Sequence, residues 1–389
     1  MKYYIIAGEA SGDLHGSNLL KELRKLDADA VFRCWGGDLM EEAGGEVVKH
    51  YKDLAFMGFI EVLMNLRIIF ANLKFCKEDI ESFQPDLLVL IDYPGFNLRI
   101  AKWAKQKGIK VIYYISPQVW AWKESRVKGI KKWVDKMLVI LPFEKEFYGK
   151  WEYKVEYIGH PLVQVIEAAI RETKEQPLRC VKPATGETVV IEPDDHSRKP
   201  VIALLPGSRK QELQVKLPIM LDAAGHFPGY QFIVAQAPGQ PVAFYEEMLA
   251  KYPNVLLAIS GQTYTLLTRA KAALVTSGTA TLETALFGVP QVVCYKGSNI
   301  SYQIAKRLVK IKYISLVNLI MDKPVVKELI QQELSVFNIR RELDVILHDS
   351  QKLNDMKDNY RTLKELLQKE GNASARAAQE IVGFLQATA

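Results

Sequence analysis

The feature that most constrains the fold is a recurrence of short apolar runs, rich in Val, Ile and Leu, between longer amphipathic stretches. The runs occupy residues 3–7, 87–91, 111–115 and 136–140, and then 201–205, 232–235, 255–259, 272–275 and 291–295. Alternation of this kind is typical of parallel sheets with helices on both faces. Because the rhythm restarts near residue 201, we predict an α/β protein with two doubly wound, Rossmann-like domains facing a cleft.

The domain limits follow from composition. A chain of 389 residues is too long for a single hydrophobic core. Residues 171–200 are polar and broken by Pro and Gly, which predicts a linker or insertion between domains at 1–170 and 201–324. Residues 325–389 carry apolar side chains at spacings of three and four, so we predict a helical tail that packs on the other domain or on a dimer partner.

Cysteine usage and the amino terminus bear on the compartment. The four cysteines lack paired spacing, so neither a disulfide framework nor a zinc site is predicted, and a reducing compartment fits best. The first residues enter a strand-like run at once, without the apolar region and cleavage site of a secretory signal. We therefore predict a cytoplasmic protein.

Charge suggests the kind of partner without selecting one. The net charge of +6 favours anionic partners in general. Residues 102–132 are basic and contain interleaved tryptophans, which is compatible with a nucleic-acid surface. No known nucleic-acid recognition module is present, so we predict no nucleic-acid partner.

The first glycine turn is GEASGDLHG, residues 8–16, which leads from the first strand into a helix. Ligands of parallel sheets collect at such strand ends. The motif matches neither the dinucleotide fingerprint nor the Walker pattern, so it does not indicate NAD or ATP. Ser11 and Asp13 are placed to cap the helix, and a purely structural turn is one interpretation. The crowding of Glu9, Ser11, Asp13 and His15 favours a functional role.

The second turn is LLPGSRKQE, in which Gly207 ends a strand and Ser208 and Arg209 begin a helix. Helix N-terminal amides together with a guanidinium suit a pyrophosphate, because hydrogen-bond donors and positive charge converge there. The alternative is a surface turn with a solvated arginine. We predict a phosphate-bearing donor at this turn.

The third turn opens a helix at Ser277, Gly278 and Thr279, with Glu283 about one turn inside on the same side. A carboxylate in that position could accept hydrogen bonds from ribose hydroxyls. Taken alone, a glutamate near a helix start is usually dipole compensation.

Asp92 is the candidate general base, because it follows a buried strand and precedes a Tyr-Pro-Gly turn. A turn-forming aspartate is the alternative. The sequence also holds a D-x-D pattern at Asp27 and Asp29, which in some glycosyltransferases binds a metal. Here it lies between the first helix and the next strand, at the amino end of the sheet, so we predict a solvated loop and no metal.

Residues 54–75 form the most apolar stretch of the chain. Glu61 and Arg67 make spanning a membrane costly. A helix lying in a membrane interface and a buried core helix both remain open, and nearby basic residues favour the membrane. The predicted membrane patch consists of Phe56, Phe59, Ile60, Leu63 and Met64.

Six motifs, taken in order, resemble those of bacterial lipid-A-disaccharide synthases over nearly the whole chain. They are GEASGD at 8–13, IDYPGFN at 91–97, SPQVWAW at 116–122, GHP at 159–161, LLPGSRKQE at 204–212 and SGTATLE at 277–283. The resemblance implies a GT-B type, metal-independent, inverting glycosyltransferase without a cofactor. It would join UDP-2,3-diacylglucosamine to the 6-hydroxyl of 2,3-diacylglucosamine 1-phosphate and release UDP.

The resemblance also assigns roles. Asp92 and Glu9 would be catalytic, with Ser11, His15 and His160 supporting the acceptor side. The donor residues would be Gly207, Ser208, Arg209, Ser277, Gly278, Thr279, Glu283 and Asn318. At Ser315 to Asn318 the chain reads SLVN where the family usually reads SLPN, so the loop before Asn318 may be less rigid and the donor contact of Asn318 is in doubt. The family further implies an exposed apolar patch on the inner membrane and a homodimer that exchanges C-terminal segments.

Two other functions fit parts of the pattern. A UDP-sugar epimerase has two similar domains and a similar donor site, but it needs neither an acceptor nor a membrane surface. A non-catalytic, two-lobed sugar-binding protein would bind without releasing UDP.

Overall fold

The computed structural model describes residues 1–54, 66–193, 195, 197–237, 239–298, 302 and 311–388. The chain divides into two compact units. Unit 1 comprises Met1–Pro161 and Leu367–Ala389, and unit 2 comprises Leu162–Leu366.

Unit 1 is built on a parallel sheet. Its strands are β1 (Lys2–Ala7), β2 (Val31–Gly36), β3 (Glu46–His50), β4 (Leu87–Ile91), β5 (Val111–Tyr114), β6 (Lys136–Val139) and β7 (Glu156–Tyr157). Their order is β3-β2-β1-β4-β5-β6-β7. The connections run outward in opposite directions from β1 and β4, so the crevice of the fold lies at the ends of these two neighbouring strands.

Unit 2 repeats the plan with a second sheet. Its strands are β8 (Leu178–Val181), β9 (Thr188–Ile191), β10 (Val201–Leu205), β11 (Gln231–Ala235), β12 (Leu256–Ala258), β13 (Ala270–Thr276), β14 (Gln291–Tyr295) and β15 (Lys327–Ile330). Their order is β15-β14-β13-β10-β11-β12-β8-β9. Here the order reverses between β10 and β13. The prediction of two doubly wound, largely parallel sheets is confirmed.

Helices cover both sheets. In chain order they are α1 (Ala10–Leu26), α2 (Asp38–Glu42), α3 (Leu66–Phe83), α4 (Pro94–Gln106), α5 (Val119–Trp122), α6 (Val127–Trp133), α7 (Glu144–Gly149), α8 (Leu162–Thr173), α9 (Lys210–Ala224), α10 (Val242–Leu249), α11 (Thr263–Arg269), α12 (Thr279–Leu286), α13 (Leu316–Met321), α14 (Val336–His348), α15 (Ser350–Gln368) and α16 (Ala373–Thr388). Short 3₁₀ turns lie at Tyr51–Leu54, Glu124–Arg126 and Gln331–Glu333. Among the described residues, no helix combines the length and apolar character needed to cross a bilayer.

The central strands are buried on both faces, as expected for parallel strands between helical layers. Every residue of β4 is fully buried, as are Tyr3 to Ala7 of β1. Polar groups inside this core are paired: the Trp35 indole donates a hydrogen bond of 2.9 Å to the Tyr4 hydroxyl. The core therefore fixes where the turns after β1 and β4 begin.

The segment predicted as a linker or insertion, residues 171–200, is instead largely ordered secondary structure of unit 2. It contains the end of α8 and the hairpin β8–β9, which pairs antiparallel with β12. Leu178 and Cys180 point into the core while Arg179 is exposed, a strand alternation that the surrounding Pro and Gly hide in the sequence. The division into units falls at Pro161, before α8.

The C-terminal residues contain the predicted helices and one strand, β15, which pairs with β14. Helix α14 packs against α9 and the sheet of unit 2. Helix α16 belongs to unit 1, where it packs against α1. There the ammonium of Lys136 pairs with the carboxylate of Glu380 at 2.5 Å.

The D-x-D residues lie where the sequence predicts, in the loop between α1 and β2. The Asp27 carboxylate accepts hydrogen bonds from the amino terminus at 2.9 Å and from the Tyr3 hydroxyl at 3.3 Å. Asp29 is exposed. Asp27 thus has a structural role at the amino end of the sheet.

Candidate active site

The turns after β1 and β4 are packed together. A β-carbon built on Gly8 would lie 2.4 Å from atoms of the Tyr93 ring, which is closer than any van der Waals contact. Only glycine at position 8 therefore allows Tyr93 its place. The two turns that carry Glu9 and Asp92 form one structural element at the crevice of unit 1.

The backbone at Asp92 is held in a strained conformation. Asp92 and Tyr93 have φ angles of +42° and +48°, in the left-handed region that residues with side chains seldom adopt. The buried amide of Asn97 compensates by donating to the carbonyls of Asp92 at 2.8 Å and Ile91 at 3.2 Å. The Tyr113 hydroxyl also donates to the Asp92 carbonyl. These bonds fix the strand end and aim the Asp92 side chain.

The Asp92 carboxyl has the proton affinity of a base that works at neutral pH. Burial raises its pKa to about 7, and the nearby Glu9 carboxylate raises it further, against a hydrogen bond from the Tyr93 backbone that lowers it. A general base is most effective when its pKa lies near the working pH. Glu9 itself is exposed at the start of α1.

The predicted capping of α1 by Ser11 and Asp13 is wrong. Glu9 occupies the N-cap position of α1 and no side chain bonds there. Ser11 is exposed. The buried Asp13 carboxylate instead accepts hydrogen bonds from the Gly37 amide at 2.7 Å and the Met40 amide at 3.1 Å. Asp13 caps α2, because the free amides of that helix face it across the top of the sheet.

His15 and His160 are both buried in unit 1 and lie close enough for their charges to interact. Burial lowers the pKa of His15 to about 4. Burial lowers that of His160 to about 3, with a smaller contribution from His15. Both rings are therefore neutral at pH 7, which suits them to support the fold around α1 rather than to donate protons.

The SPQVWAW segment encloses a buried carboxyl that the sequence did not single out, that of Glu144. It accepts hydrogen bonds from the Leu141 amide at 3.0 Å and the Trp120 indole at 3.3 Å, and burial raises its pKa to about 7. The Ser116 and Tyr148 hydroxyls share a bond of 2.6 Å beside it. Its only sequence signal is a glutamate in the first turn of a short helix.

Unit 2 has a pocket of about 710 Å³ at the ends of β10 and β13. Seven of the eight predicted donor residues line it. They are Gly207, Ser208, Arg209, Ser277, Gly278, Thr279 and Glu283. The first turns of α9 and α12 both contribute to its wall, so two helix N-termini with their free amides lie at one cavity. Such an arrangement binds anions.

The glycine turn before α9 leaves room for the pocket and supplies its charge. Gly207 has φ +113°, and a β-carbon there would lie 2.6 Å from the Glu212 carboxylate. Arg209 is the N-cap residue of α9, and its guanidinium is 60% exposed. Its distance of 3.8 Å from Glu212 is a loose ion pair, so Arg209 can turn toward an anion.

Glu283 lies one turn inside α12 and faces Tyr264, whose hydroxyl donates a hydrogen bond of 3.0 Å to it. Burial raises the pKa of Glu283. Tyr264, which also lines the pocket, was not identified from the sequence. The pair leaves one carboxylate oxygen for a ligand.

Asn318 is the donor residue that the structure places elsewhere. Its side chain is 1% exposed and does not line this pocket. Its amide donates to the Val326 carbonyl and the Glu328 carboxylate, both at 2.9 Å, and its oxygen accepts from the Val326 amide. Asn318 thereby ties α13 to the approach to β15.

The predicted membrane-patch residues, Phe56, Phe59, Ile60, Leu63 and Met64, lie outside the described residues. The described part of that stretch begins with α3. There Ile68, Phe70 and Phe75 are exposed, and Phe70 is 61% exposed. The start of α3 therefore presents apolar side chains to solvent.

The comparisons with known proteins agree with these features. The model of the lipid-A-disaccharide synthetase family matches residues 3–382. The lipid-A-disaccharide synthase of Geobacter metallireducens is 39% identical over 349 residues, covering 89% of this chain and 87% of its own. That of Trichlorobacter lovleyi is 38% identical over 386 residues, covering 98% and 97%.

Two solved structures share the fold at low identity. The UDP-GlcNAc 2-epimerase of Neisseria meningitidis, bound to UDP-GlcNAc, superposes with a TM-score of 0.66 at 14% identity, covering 98% of this chain and 100% of its own. A calicheamicin glycosyltransferase superposes with a TM-score of 0.60 at 17% identity, covering 100% and 99%. Transferases and epimerases thus have this fold in common.

Proposed function

This chain belongs to the lipid-A-disaccharide synthase family, and we propose that Asp92 is the general base of the glycosyl transfer that defines the family. The enzyme is a GT-B glycosyltransferase. It joins UDP-2,3-diacylglucosamine to 2,3-diacylglucosamine 1-phosphate and forms a β-1,6-linked disaccharide 1-phosphate and UDP. The sequence identity, which runs along nearly the whole chain, favours this activity over epimerisation.

The observation that carries the proposal is the placement of Asp92. It lies at the crevice of unit 1, fixed by Asn97 and Tyr113, with a pKa raised to about 7. The Asp92 carboxylate takes the proton of the acceptor 6-hydroxyl as that oxygen bonds to the anomeric carbon of the donor. The bond between that carbon and the diphosphate breaks, UDP leaves with the electron pair, and the configuration inverts. Glu9 assists by keeping the pKa of Asp92 high.

We assign the donor to the pocket of unit 2. Arg209 and the amides at the starts of α9 and α12 hold the diphosphate and stabilise the charge that develops as it leaves. Glu283 accepts hydrogen bonds from the ribose hydroxyls. This positive charge takes the place of a metal ion, so the proposal includes no metal and no cofactor. Asn318 supports this unit from within.

Membrane association and assembly are part of the same proposal. The enzyme works in the cytoplasm on the inner membrane surface, where its acylated substrates reside. The exposed Ile68 and Phe70, the exposed Arg67 beside them and the net charge of +6 support this location. The homodimer with exchanged C-terminal segments would repeat, between chains, the packing of α16 on α1 seen within this chain.

The test is to incubate the enzyme with both diacylated sugars, with and without EDTA, and to score UDP and disaccharide by mass spectrometry. We expect both products in equal amounts, and EDTA to leave the rate unchanged. A donor isomer formed without acceptor would support the epimerase instead, and tight donor binding without UDP release would support the sugar-binding protein.

A further inference from the structure

Unit 1 has a second cavity beside the Asp92 turn, of about 360 Å³, between α4 and the segment 125–133. Three cations line it: Arg99, Lys102 and Arg126. None of the described residues that line it carries a carboxylate. A concave surface with three positive charges and no negative one attracts an anion with more than one charge.

The cavity is adjacent to the reacting centre. Pro94, at one end of the cavity, follows Asp92 by two residues, and two residues of chain span at most about 7 Å. Arg126 lies close enough to Tyr113 for its charge to lower the pKa of that hydroxyl, against a larger effect of burial. Tyr113 in turn bonds to the Asp92 carbonyl. The cations and the base therefore belong to one neighbourhood.

The cations have a regular arrangement on the cavity wall. Pro94, Leu98 and Lys102 recur every four residues of α4 and so lie on one face, with Arg99 next to Leu98. Arg99 follows Pro94 by five residues, about 7.5 Å along a helix axis. A pyranose ring separates its 6-hydroxyl from a 1-phosphate by a comparable length. A sugar with its 6-hydroxyl at Asp92 would thus bring its anomeric substituent to the cations.

Trp133 forms the apolar side of the cavity. The Lys102 ammonium lies 5.7 Å from the centre of its ring, a cation–π distance that holds the lysine over the cavity. Gly129 allows this packing, because a β-carbon there would lie 2.8 Å from the ring. Arg99 forms no ion pair with any other described residue, so its guanidinium fork is available to a phosphate.

We propose that this cavity binds the phosphomonoester of the acceptor, with Arg99, Lys102 and Arg126 as its ligands. The inference rests on the proposed function and deepens it, because it states which part of unit 1 recognises the acceptor. A phosphomonoester carries nearly two negative charges at pH 7 and has three strong acceptor oxygens. The cavity would make the enzyme select the phosphorylated sugar and set the 6-hydroxyl against Asp92. It also gives a role to the basic, tryptophan-containing region at 102–132.

The test compares two acceptors, 2,3-diacylglucosamine with and without the 1-phosphate. Arg99→Gln and Lys102→Gln alter exposed side chains, so the fold should hold, and their melting temperatures verify this. We expect each variant to lower the kcat/KM ratio of phosphorylated to unphosphorylated acceptor by about tenfold, and Arg99→Lys to recover part of the loss. The matched control is Lys128→Gln, an exposed lysine of α6 that does not line the cavity, for which the ratio should stay that of the wild type.

Calorimetric binding of the two acceptors to the wild type and to Arg99→Gln provides a readout that does not depend on turnover. Preferential binding of the phosphorylated sugar, lost in Arg99→Gln, supports the cavity even if no disaccharide forms, in which case only the proposed function fails. An unchanged ratio in both variants overturns the proposal. So does an equal loss in Lys128→Gln, or a loss confined to co-sedimentation with phosphatidylglycerol vesicles, which would assign the cations to a membrane headgroup.

Discussion

The ring of Tyr93 fills the space that a side chain at Gly8 would need. This contact joins the turn after β1 to the turn after β4, and so couples the position of Glu9 to that of Asp92. The strained backbone at Asp92 persists because its surroundings are packed in this way.

The first prediction concerns this contact. Gly8→Ala should force Tyr93 to move, destabilise the protein by about 1–3 kcal/mol and lower kcat, because Asp92 is the neighbour of Tyr93. Thermal unfolding and steady-state rates measure the two effects. Gly95→Ala is the matched control, because a β-carbon at Gly95 meets no atom within 4 Å. Equal effects of the two changes would show that the contact has no special role.

Replacement of the base separates activity from stability. Asp92→Asn should lower kcat by about 10²–10⁴-fold while UDP affinity changes little, since the donor residues lie in unit 2. The folded-state pKa of Asp92 is raised from 3.8 to about 7, so the wild type loses stability as the pH rises through that window. The variant should therefore melt at a higher temperature than the wild type at pH 8, with the difference vanishing near pH 4. Full activity in Asp92→Asn would refute the assignment.

The pH dependence of the rate should report the environment of Asp92. Because the base acts when deprotonated, kcat/KM should rise with pH and level off above a pKa of about 7. Glu9→Gln removes a negative charge that raises this pKa, so the rising limb should move to lower pH. A limb that stays in place or moves upward would mean that Glu9 does not act on Asp92 through its charge.

Donor binding should depend on Arg209. Arg209→Ala should weaken UDP binding by about tenfold to a hundredfold, because a charge-assisted hydrogen bond to the diphosphate is lost. Calorimetry with UDP measures the change. Arg341→Ala removes an exposed arginine of the same unit that lies on α14, away from the pocket, and should leave the affinity as it is. A similar loss in both variants would indicate a general charge effect.

The apolar start of α3 should contribute to membrane binding. Phe70→Ser should reduce co-sedimentation with anionic vesicles several-fold, because its exposed ring would no longer insert among the acyl chains. Phe337→Ser is the control, since Phe337 is 71% exposed on α14 of unit 2. Equal binding by Phe70→Ser and the wild type would remove this residue from the membrane surface.

Much of the fold was readable from the sequence, because burial of a strand on both faces leaves a local apolar run and a glycine turn marks its end. The pocket of unit 2 was predictable for the same reason: Gly207 to Arg209 and Ser277 to Glu283 each follow such a run. The hairpin β8–β9 was not, because a short edge hairpin with only alternate residues buried resembles a polar linker.

What the sequence by itself determined is therefore the strand–helix alternation and the chemical character of each turn, which are properties of neighbouring residues. The tertiary structure decided which turns meet. It assigned Asp13 to the cap of α2, 24 to 27 residues away, buried Asn318 in its own hydrogen bonds, and gathered Arg99, Lys102 and Arg126 around one cavity. Such partners are chosen by distance in space, on which local periodicity carries no information.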